Sequence, residues 1–363
     1  MDKKLNIVLI AYFFEPDRRV GALRASYWFR NLPIHFDCDL HLITANKDAK
    51  GENVYCVPPL GSSMLSKFIK DPGLLWVDSL KSFFSTNNTI KPDIVIITGG
   101  PFMHFGITPW LKQKYSCRVI LDYRDPFAIN PGFSNNVLQV YVKRYFESKF
   151  NKNADALITV NEHCAQILAH FKTKKNAIIQ NGFDETVEVH FEKPKLGAKM
   201  RLVYTGKLYF DPIQLLTALN TTTHFLEYYG ADGAQLKHEK AKDFGLVPYE
   251  SALSAIAAGD IGVIQTYGED FQSTTKLFDY IRLERPILII SANHVRRGSI
   301  HDELQGYPNV FWCKNDIHCI LEQLEIIEKH NYEKPAPNFS MKFSRRRQLE
   351  KLISLIQDVS TSQ

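Results

Sequence analysis

The sequence has no Cys-x-x-Cys pair. Its six cysteines, Cys38, Cys56, Cys117, Cys164, Cys313 and Cys319, are scattered along the chain, a spacing that disfavours a zinc site or a thioredoxin-like centre and favours buried thiols. No stretch approaches the roughly 18 consecutive apolar residues of a membrane span. The opening segment "MDKKLNIVLIAYFFEPD" holds an apolar run of about nine residues and reaches Glu15 without a small-residue cleavage site, so it reads as a first strand rather than a leader. The dinucleotide fingerprint G-x-G-x-x-G is missing, which makes a Rossmann oxidoreductase the weakest enzyme reading. A strong charge of one sign is missing too. The net charge is +5 over 363 residues with a pI near 8.7, and residues 1–185 carry +6 against −1 for the rest, too little to argue for nucleic acid. These absences predict a cytosolic protein in a reducing compartment, with the sequons at Asn87 and Asn220 as chance matches.

What is present is an alternation. The runs "LNIVLIAY", "CDLHLIT", "PDIVIIT", "CRVILDY", "DALITV" and "NAIIQN" are separated by helical segments, and the pattern restarts with "MRLVYTG", "TTHFLEYYG", "DIGVIQ", "RPILIIS" and "NVFWC". Strands spaced by helices predict parallel, doubly wound sheets, and the length suits two domains. The charged stretch "DETVEVHFEKPKLGAK" is the linker candidate. The expected division is residues 1–185, residues 186–338, and a tail, residues 339–363, whose Leu349, Leu352, Ile353 and Ile356 recur at helical spacing and pack back toward the first domain. Two such domains facing each other place the carboxyl ends of their strands around one cleft, where open α/β sheets bind ligands.

Candidate site residues are therefore sought after strands. Gly21 and Arg24 follow the first strand, where a glycine admits backbone N–H groups to an anion and a helix start favours it; a solvated basic loop is the plainer alternative. "GGPFMHFG" brings His104, and "YRDPF" brings Arg124 and Asp125 beside Asp122, to two further strand ends, with a structural ion pair as the alternative. Asp37 and Asp39 form a D-x-D triplet, but it opens an alternating strand, so no metal is expected. In the second half "VYTGKLYFDP" sets Gly206 and Lys207 after a strand. "QSTTKLFDYI" starts a helix near Thr274 or Thr275; its first-turn N–H groups and Lys276 suit a diphosphate, and Asp279 lies one turn on, placed to accept from ribose hydroxyls. The alternative is a capped helix with a solvated Lys and Asp. "SSMLSKFIKDPGLLWVDSLKSFF", with Lys67, Lys70 and Lys81, reads either as a surface resting on a membrane or as an amphipathic core helix.

Taken in order, "YFFEPDRRVGALR", "TGGPF", "LDYRDPF", "NADALITVNE", "IIQNGFDE", "YTGKLY", "GLVPYESALSAIAAGDIGVI" and "TTKLFDYIRLERPILII" resemble the family 4 type of GT-B glycosyltransferases, especially bacterial members of surface-polysaccharide pathways such as lipopolysaccharide O-antigen or capsule. The resemblance implies two Rossmann-like domains with a C-terminal helix crossing back. It implies a retaining transferase that moves a sugar from a UDP- or GDP-linked donor, bound by the C-terminal domain, to a glycan or lipid-linked acceptor hydroxyl, bound by the N-terminal domain. It implies no resident cofactor or metal, and a cytoplasmic enzyme resting on the inner face of the membrane. Asp279 matches the second acid of the family's Glu-x7-Glu pattern, which binds ribose. Ser273, Thr274, Thr275 and Lys276 match the diphosphate loop. Lys207 and Gly206 fall in the region of the basic phosphate contacts, and Gly21 in the glycine loop. Arg124 and Asp125 lie where many members carry a histidine beside the reacting sugar. The chain departs from the pattern at Phe271, where the first acid falls and Glu269 or Asp270 would substitute, at Gln180 in place of a proline, and at Glu284 in place of a glycine. A GT-B sugar-nucleotide 2-epimerase and a non-catalytic nucleotide-sugar-binding subunit remain alternatives.

Overall fold

The computed structural model describes residues 4–17, 19–129, 136–233 and 236–361; Arg18, within the first resembling stretch, lies outside them. The chain divides into two compact units, residues 1–181 with 345–363, and residues 182–344.

The first unit runs β1 (Leu5–Ala11), α1 (Val20–His35), β2 (Cys38–Thr44), β3 (Val54–Cys56), α2 (Met64–Ile69), α3 (Trp76–Thr86), β4 (Ile94–Thr98), α4 (Thr108–Tyr115), β5 (Arg118–Tyr123), α5 (Val137–Asn153), β6 (Ala156–Thr159), α6 (Glu162–Ile167) and β7 (Lys175–Ile178). The sheet order is β3-β2-β1-β4-β5-β6-β7, with every pairing parallel. A parallel sheet covered on both faces needs apolar residues at consecutive positions, and all five residues of β4 are buried. Val8 and Ile10 pack into a cluster with Trp76, Leu80, Phe84 and Phe105. Ile7 and Leu9, pointing the other way, join Ile94, Ile96 and Trp28.

The second unit runs β8 (Arg201–Thr205), α7 (Ile213–Asn220), β9 (Phe225–Tyr229), β10 (Ala241–Asp243), α8 (Tyr249–Ala258), β11 (Ile261–Thr266), α9 (Thr275–Arg282), β12 (Ile287–Ser291), α10 (Gly298–Glu303), β13 (Val310–Lys314) and α11 (Ile317–Glu328), in the all-parallel order β10-β9-β8-β11-β12-β13. Its sheet also carries an apolar cluster on each face. The chain then returns to the first unit, where α12 (Arg345–Ser360) lays Leu349, Leu352, Leu355, Ile356 and Val359 onto the Ile7/Leu9 side of the sheet. Gln348 fastens it by accepting from the Gln180 N–H at 2.9 Å.

In both sheets strand order reverses beside the first strand, between β1 and β4 and between β8 and β11. The helices that follow those neighbouring strands leave toward opposite faces and open a crevice at the strand C-termini, where doubly wound sheets take ligands. The loops after β1, β4, β8 and β11 are four of the five selected from sequence; the fifth follows β5.

The stretch from Ser62 to Phe84 divides. Trp76, Leu80 and Phe84 on α3 are fully buried, so that part is an ordinary core helix. On α2, Met64, Leu65 and Lys67 stay exposed, as does Lys70 just past its end. Asp37 and Asp39 both pair with Lys4.

Candidate functional site

In the second unit the end of β8 turns sharply at Gly206, whose φ of +84° is a conformation that favours glycine. Its N–H bonds the Tyr229 carbonyl at 2.7 Å. Asp232, beyond β9, accepts from the Leu208 N–H at 2.9 Å, and Gln265 on β11 accepts from the Tyr209 N–H at 3.1 Å. The loop holding the exposed Lys207 is thus tied to β9, to the loop after β9 and to β11, and its backbone has a fixed shape.

The neighbouring loop, after β11, leads into α9. The Gln272 carboxamide accepts from the Thr266 hydroxyl (2.8 Å) and the Tyr267 N–H (2.9 Å). The Ser273 hydroxyl donates to Glu303 on α10 at 3.3 Å. Thr274 is the N-cap in extended conformation, and its side chain makes no capping bond, so it does not take up the first-turn N–H groups as a Ser or Thr cap ordinarily does. Those amides carry the positive end of the helix dipole.

Lys276 sits in that first turn and is 7% exposed. Its Nζ lies 3.7 Å from the centre of the Tyr204 ring and 5.8 Å from that of Tyr209, and it donates to the Lys207 carbonyl at a long 3.4 Å. Burial pushes its pKa down to about 7, against the opposing pull of Asp232. A ring face and one weak carbonyl are poor replacement for water around an ammonium, and an anion arriving at the helix start would supply what is missing. One turn on, buried Asp279 accepts the Tyr249 hydroxyl of α8 at 2.6 Å. The fold therefore gathers Gly206, Lys207, Ser273, Thr274, Thr275, Lys276 and Asp279 at one sheet end. Tyr204, Tyr249 and Asp232, which complete the arrangement, carry no motif of their own in the sequence; their role exists only through contacts spanning 30 to 72 positions. Asp270 is already forked onto Arg297, with one bond of 2.7 Å. At Glu284 the backbone has φ +55°, so the left-handed turn for which the resemblance calls for glycine is kept.

In the first unit Arg124 links three of the sequence motifs. Its guanidinium donates twice to the Gly99 carbonyl, at 2.6 and 3.0 Å, and reaches Gly100 at 3.3 Å. A Cβ on Gly21 would lie 2.8 Å from its Nη2, and one on Gly100 would lie 2.7 Å from it. Gly21 thus makes room for an arginine. Arg24 is a structural ion pair: Nε and Nη2 bond Asp122 at 3.1 and 2.9 Å, and Nη1 bonds the Ile179 and Gln180 carbonyls. All three nitrogens are taken, a placement that sequence position alone did not disclose. Asp125 is reachable by water, yet protein crowds it closely enough for desolvation to raise its carboxyl, with Arg124 opposing. His104 lies near enough to feel the Arg124 charge, but its ring makes no hydrogen bond with this group. It is fully buried among Tyr12, Trp76 and Phe105, and desolvation pushes its imidazole down to about 3.

No protein-family model and no curated protein matches the sequence. Solved structures do. Sucrose-phosphate synthase from Thermosynechococcus elongatus aligns over 98% of this chain and 99% of its own with a TM-score of 0.72 at 11% identity. Anabaena HepE in complex with UDP-glucose aligns over 98% and 100% with a TM-score of 0.60 at 11% identity. The UDP-GlcNAc 2-epimerase of Methanocaldococcus jannaschii, in complex with UDP-GlcNAc and UDP, aligns over 98% and 100% with a TM-score of 0.56 at 12% identity. Identities this low speak for the fold, and the fold is GT-B: two parallel α/β domains of seven and six strands.

Proposed function

We propose that the protein is an enzyme acting on a nucleoside-diphosphate sugar, UDP- or GDP-linked, and that it transfers the sugar with retention to a glycan or lipid-linked hydroxyl in cell-surface polysaccharide synthesis. The observation that carries the proposal is Lys276, a buried, under-solvated ammonium at an uncapped helix start after the switch-point strand. The diphosphate rests on the 273–276 backbone with Lys276 and Lys207, and Asp279, held by Tyr249, receives the ribose. As the glycosidic bond breaks, negative charge grows on the leaving diphosphate. Fixed donors stabilise that charge more in the transition state than in the ground state. The departing phosphate can itself take the acceptor proton, so no protein nucleophile is required; Asp125 in the first unit orients the acceptor or serves as its base.

A second reading has a specific observation behind it, the whole-chain likeness to a UDP-GlcNAc 2-epimerase. An epimerase converts the donor with no acceptor present, and a non-catalytic subunit binds it without turnover. Thermal shift against a panel of nucleoside diphosphates and nucleotide sugars tests the shared claim, since a ligand that binds only the native state raises its melting temperature. Product analysis with and without acceptor then separates the readings. No shift with any member of the panel contradicts all three.

A further inference from the structure

The loop that holds Lys207 and the loop that leads into α9 meet through rings as well as hydrogen bonds. Tyr267, the first residue after β11, lies 5.9 Å from Tyr209 in an edge-to-face arrangement and 6.1 Å from Phe210, centre to centre. Its hydroxyl donates to the Tyr209 carbonyl, and its N–H is held at 2.9 Å by the Gln272 carboxamide. The ring is fixed at both ends, yet it remains 37% exposed. Tyr209 and Phe210 are half-buried beside it. Single exposed aromatics are ordinary on a protein surface. Three adjoining rings, pinned at the ligand end of a doubly wound sheet, make a preformed apolar face. The resemblance gives roles to Lys207, to residues 273–276 and to Asp279, and none to these rings.

Position selects what the face receives. The Tyr209 ring centre is 5.8 Å from Lys276 Nζ, so the rings adjoin the place of the diphosphate. Phe210 packs on the α7 and α11 side of the sheet, whereas Tyr249, which holds Asp279, packs on the α8 and α9 side. A donor whose ribose lies at Asp279 and whose diphosphate lies at Lys276 therefore has its far end on the side of the rings. That end is the sugar. A hexopyranose carries hydroxyls around its rim and ring C–H groups on its faces, and such a face suits an aromatic ring whose polar tip is already bonded.

We propose that Tyr267, with Tyr209 and Phe210 behind it, is a stacking platform for the pyranose of the donor and sets how tightly the sugar end is held. The inference rests on the donor-site reading and extends it from the diphosphate to the sugar. A ring already fixed in place loses little conformational freedom on binding.

The test is calorimetric titration of the full chain with UDP, GDP, UDP-glucose, UDP-GlcNAc and GDP-mannose, for wild type, Tyr267→Leu and Tyr267→Phe. Leucine keeps apolar bulk and removes the ring; phenylalanine keeps the ring and removes the bond to Tyr209. Tyr267→Leu weakens at least one sugar nucleotide about fivefold, the size of an aromatic contact beyond its buried area, and leaves the parent diphosphate within about twofold. Tyr267→Phe binds that sugar nucleotide nearly as wild type does. Binding of UDP or GDP with sugar-nucleotide affinities indifferent to Tyr267→Leu, or with none of the sugar nucleotides bound, overturns this inference and leaves the donor site standing. An equal loss for a diphosphate and its sugar nucleotide assigns the ring to the nucleotide or to the loop and also overturns it, as does a Tyr267→Phe variant as weak as Tyr267→Leu. No binding of either diphosphate to the wild type overturns the donor site and the platform together.

Discussion

Replacing Lys276 by Met should make the free protein more stable and its ligand binding worse, with opposite signs readable on the same sample. The lysine Nζ lies over the Tyr204 ring, a face that a thioether chain of similar length still covers, so the change removes chiefly the charge. In the unfolded chain the ammonium has its ordinary pKa of 10.5, and in the native state burial lowers it to about 7. Between those values the unfolded chain keeps a proton that the native protein has shed, so this group makes stability rise with pH across the window. Below about 7 both states are protonated and the native state carries the full desolvation cost. At 1.36 kcal/mol per pKa unit that cost is roughly 5 kcal/mol, an upper figure, since water follows buried charges. Urea denaturation of wild type and Lys276→Met at pH 6, 8 and 10 gives the difference directly. The variant gains a few kcal/mol at pH 6 and the gain shrinks toward pH 10. A diphosphate reverses the effect by restoring the proton, so its binding at pH 8 takes up about one proton from buffer. A stability difference that stays flat from pH 6 to pH 10, or a variant that binds nucleoside diphosphates as tightly as wild type, refutes the reasoning.

Three further outcomes follow from named contacts. Tyr249→Phe removes the 2.6 Å bond that orients Asp279 and weakens UDP or GDP binding about fivefold, with a smaller loss for the 2′,3′-dideoxy nucleotide, as calorimetry would show. Gly21→Ala puts a methyl 2.8 Å from Arg124 Nη2 and costs about 1–3 kcal/mol in urea denaturation; the cost falls in an Arg124→Met background because the clash is with that side chain. Asp122→Asn leaves Arg24 buried without its counter-ion and costs about 3–5 kcal/mol, visible as a lower midpoint.

Eleven strands announced themselves by apolar or β-branched runs, most fully β4, β11 and β12, which are covered on both faces and buried at every position. The other two among the described residues, Val54–Cys56 and Ala241–Asp243, are three-residue edge strands paired on one side, too short to stand out as runs, and the sequence is silent there. The start of α9 was legible from Thr274, Thr275 and the aromatic-aliphatic run after them. The surroundings of Lys276 were not. Tyr204 and Asp232 reach it only because β8 lies between β9 and β11 in the sheet, and no local pattern encodes which tyrosine ends beneath a lysine 72 positions away. Gly21 shows the opposite limit. A glycine after a first strand invites a ligand reading, but the space it leaves holds Arg124, drawn from a motif over 100 residues downstream. His104 likewise sits at a strand-to-helix junction in sequence, while its ring turns inward among Tyr12, Trp76 and Phe105.

The central claim is that the start of α9 holds a nucleoside diphosphate through Lys276. Calorimetric titration of UDP and of GDP into wild type and Lys276→Ala at pH 7 tests it most directly. One site is expected for at least one nucleotide, with about a 10- to 150-fold loss in the variant, the range for a hydrogen bond to a charged group. Equal affinity in a variant with an unchanged melting temperature, or no binding of either nucleotide to the wild type, would contradict it.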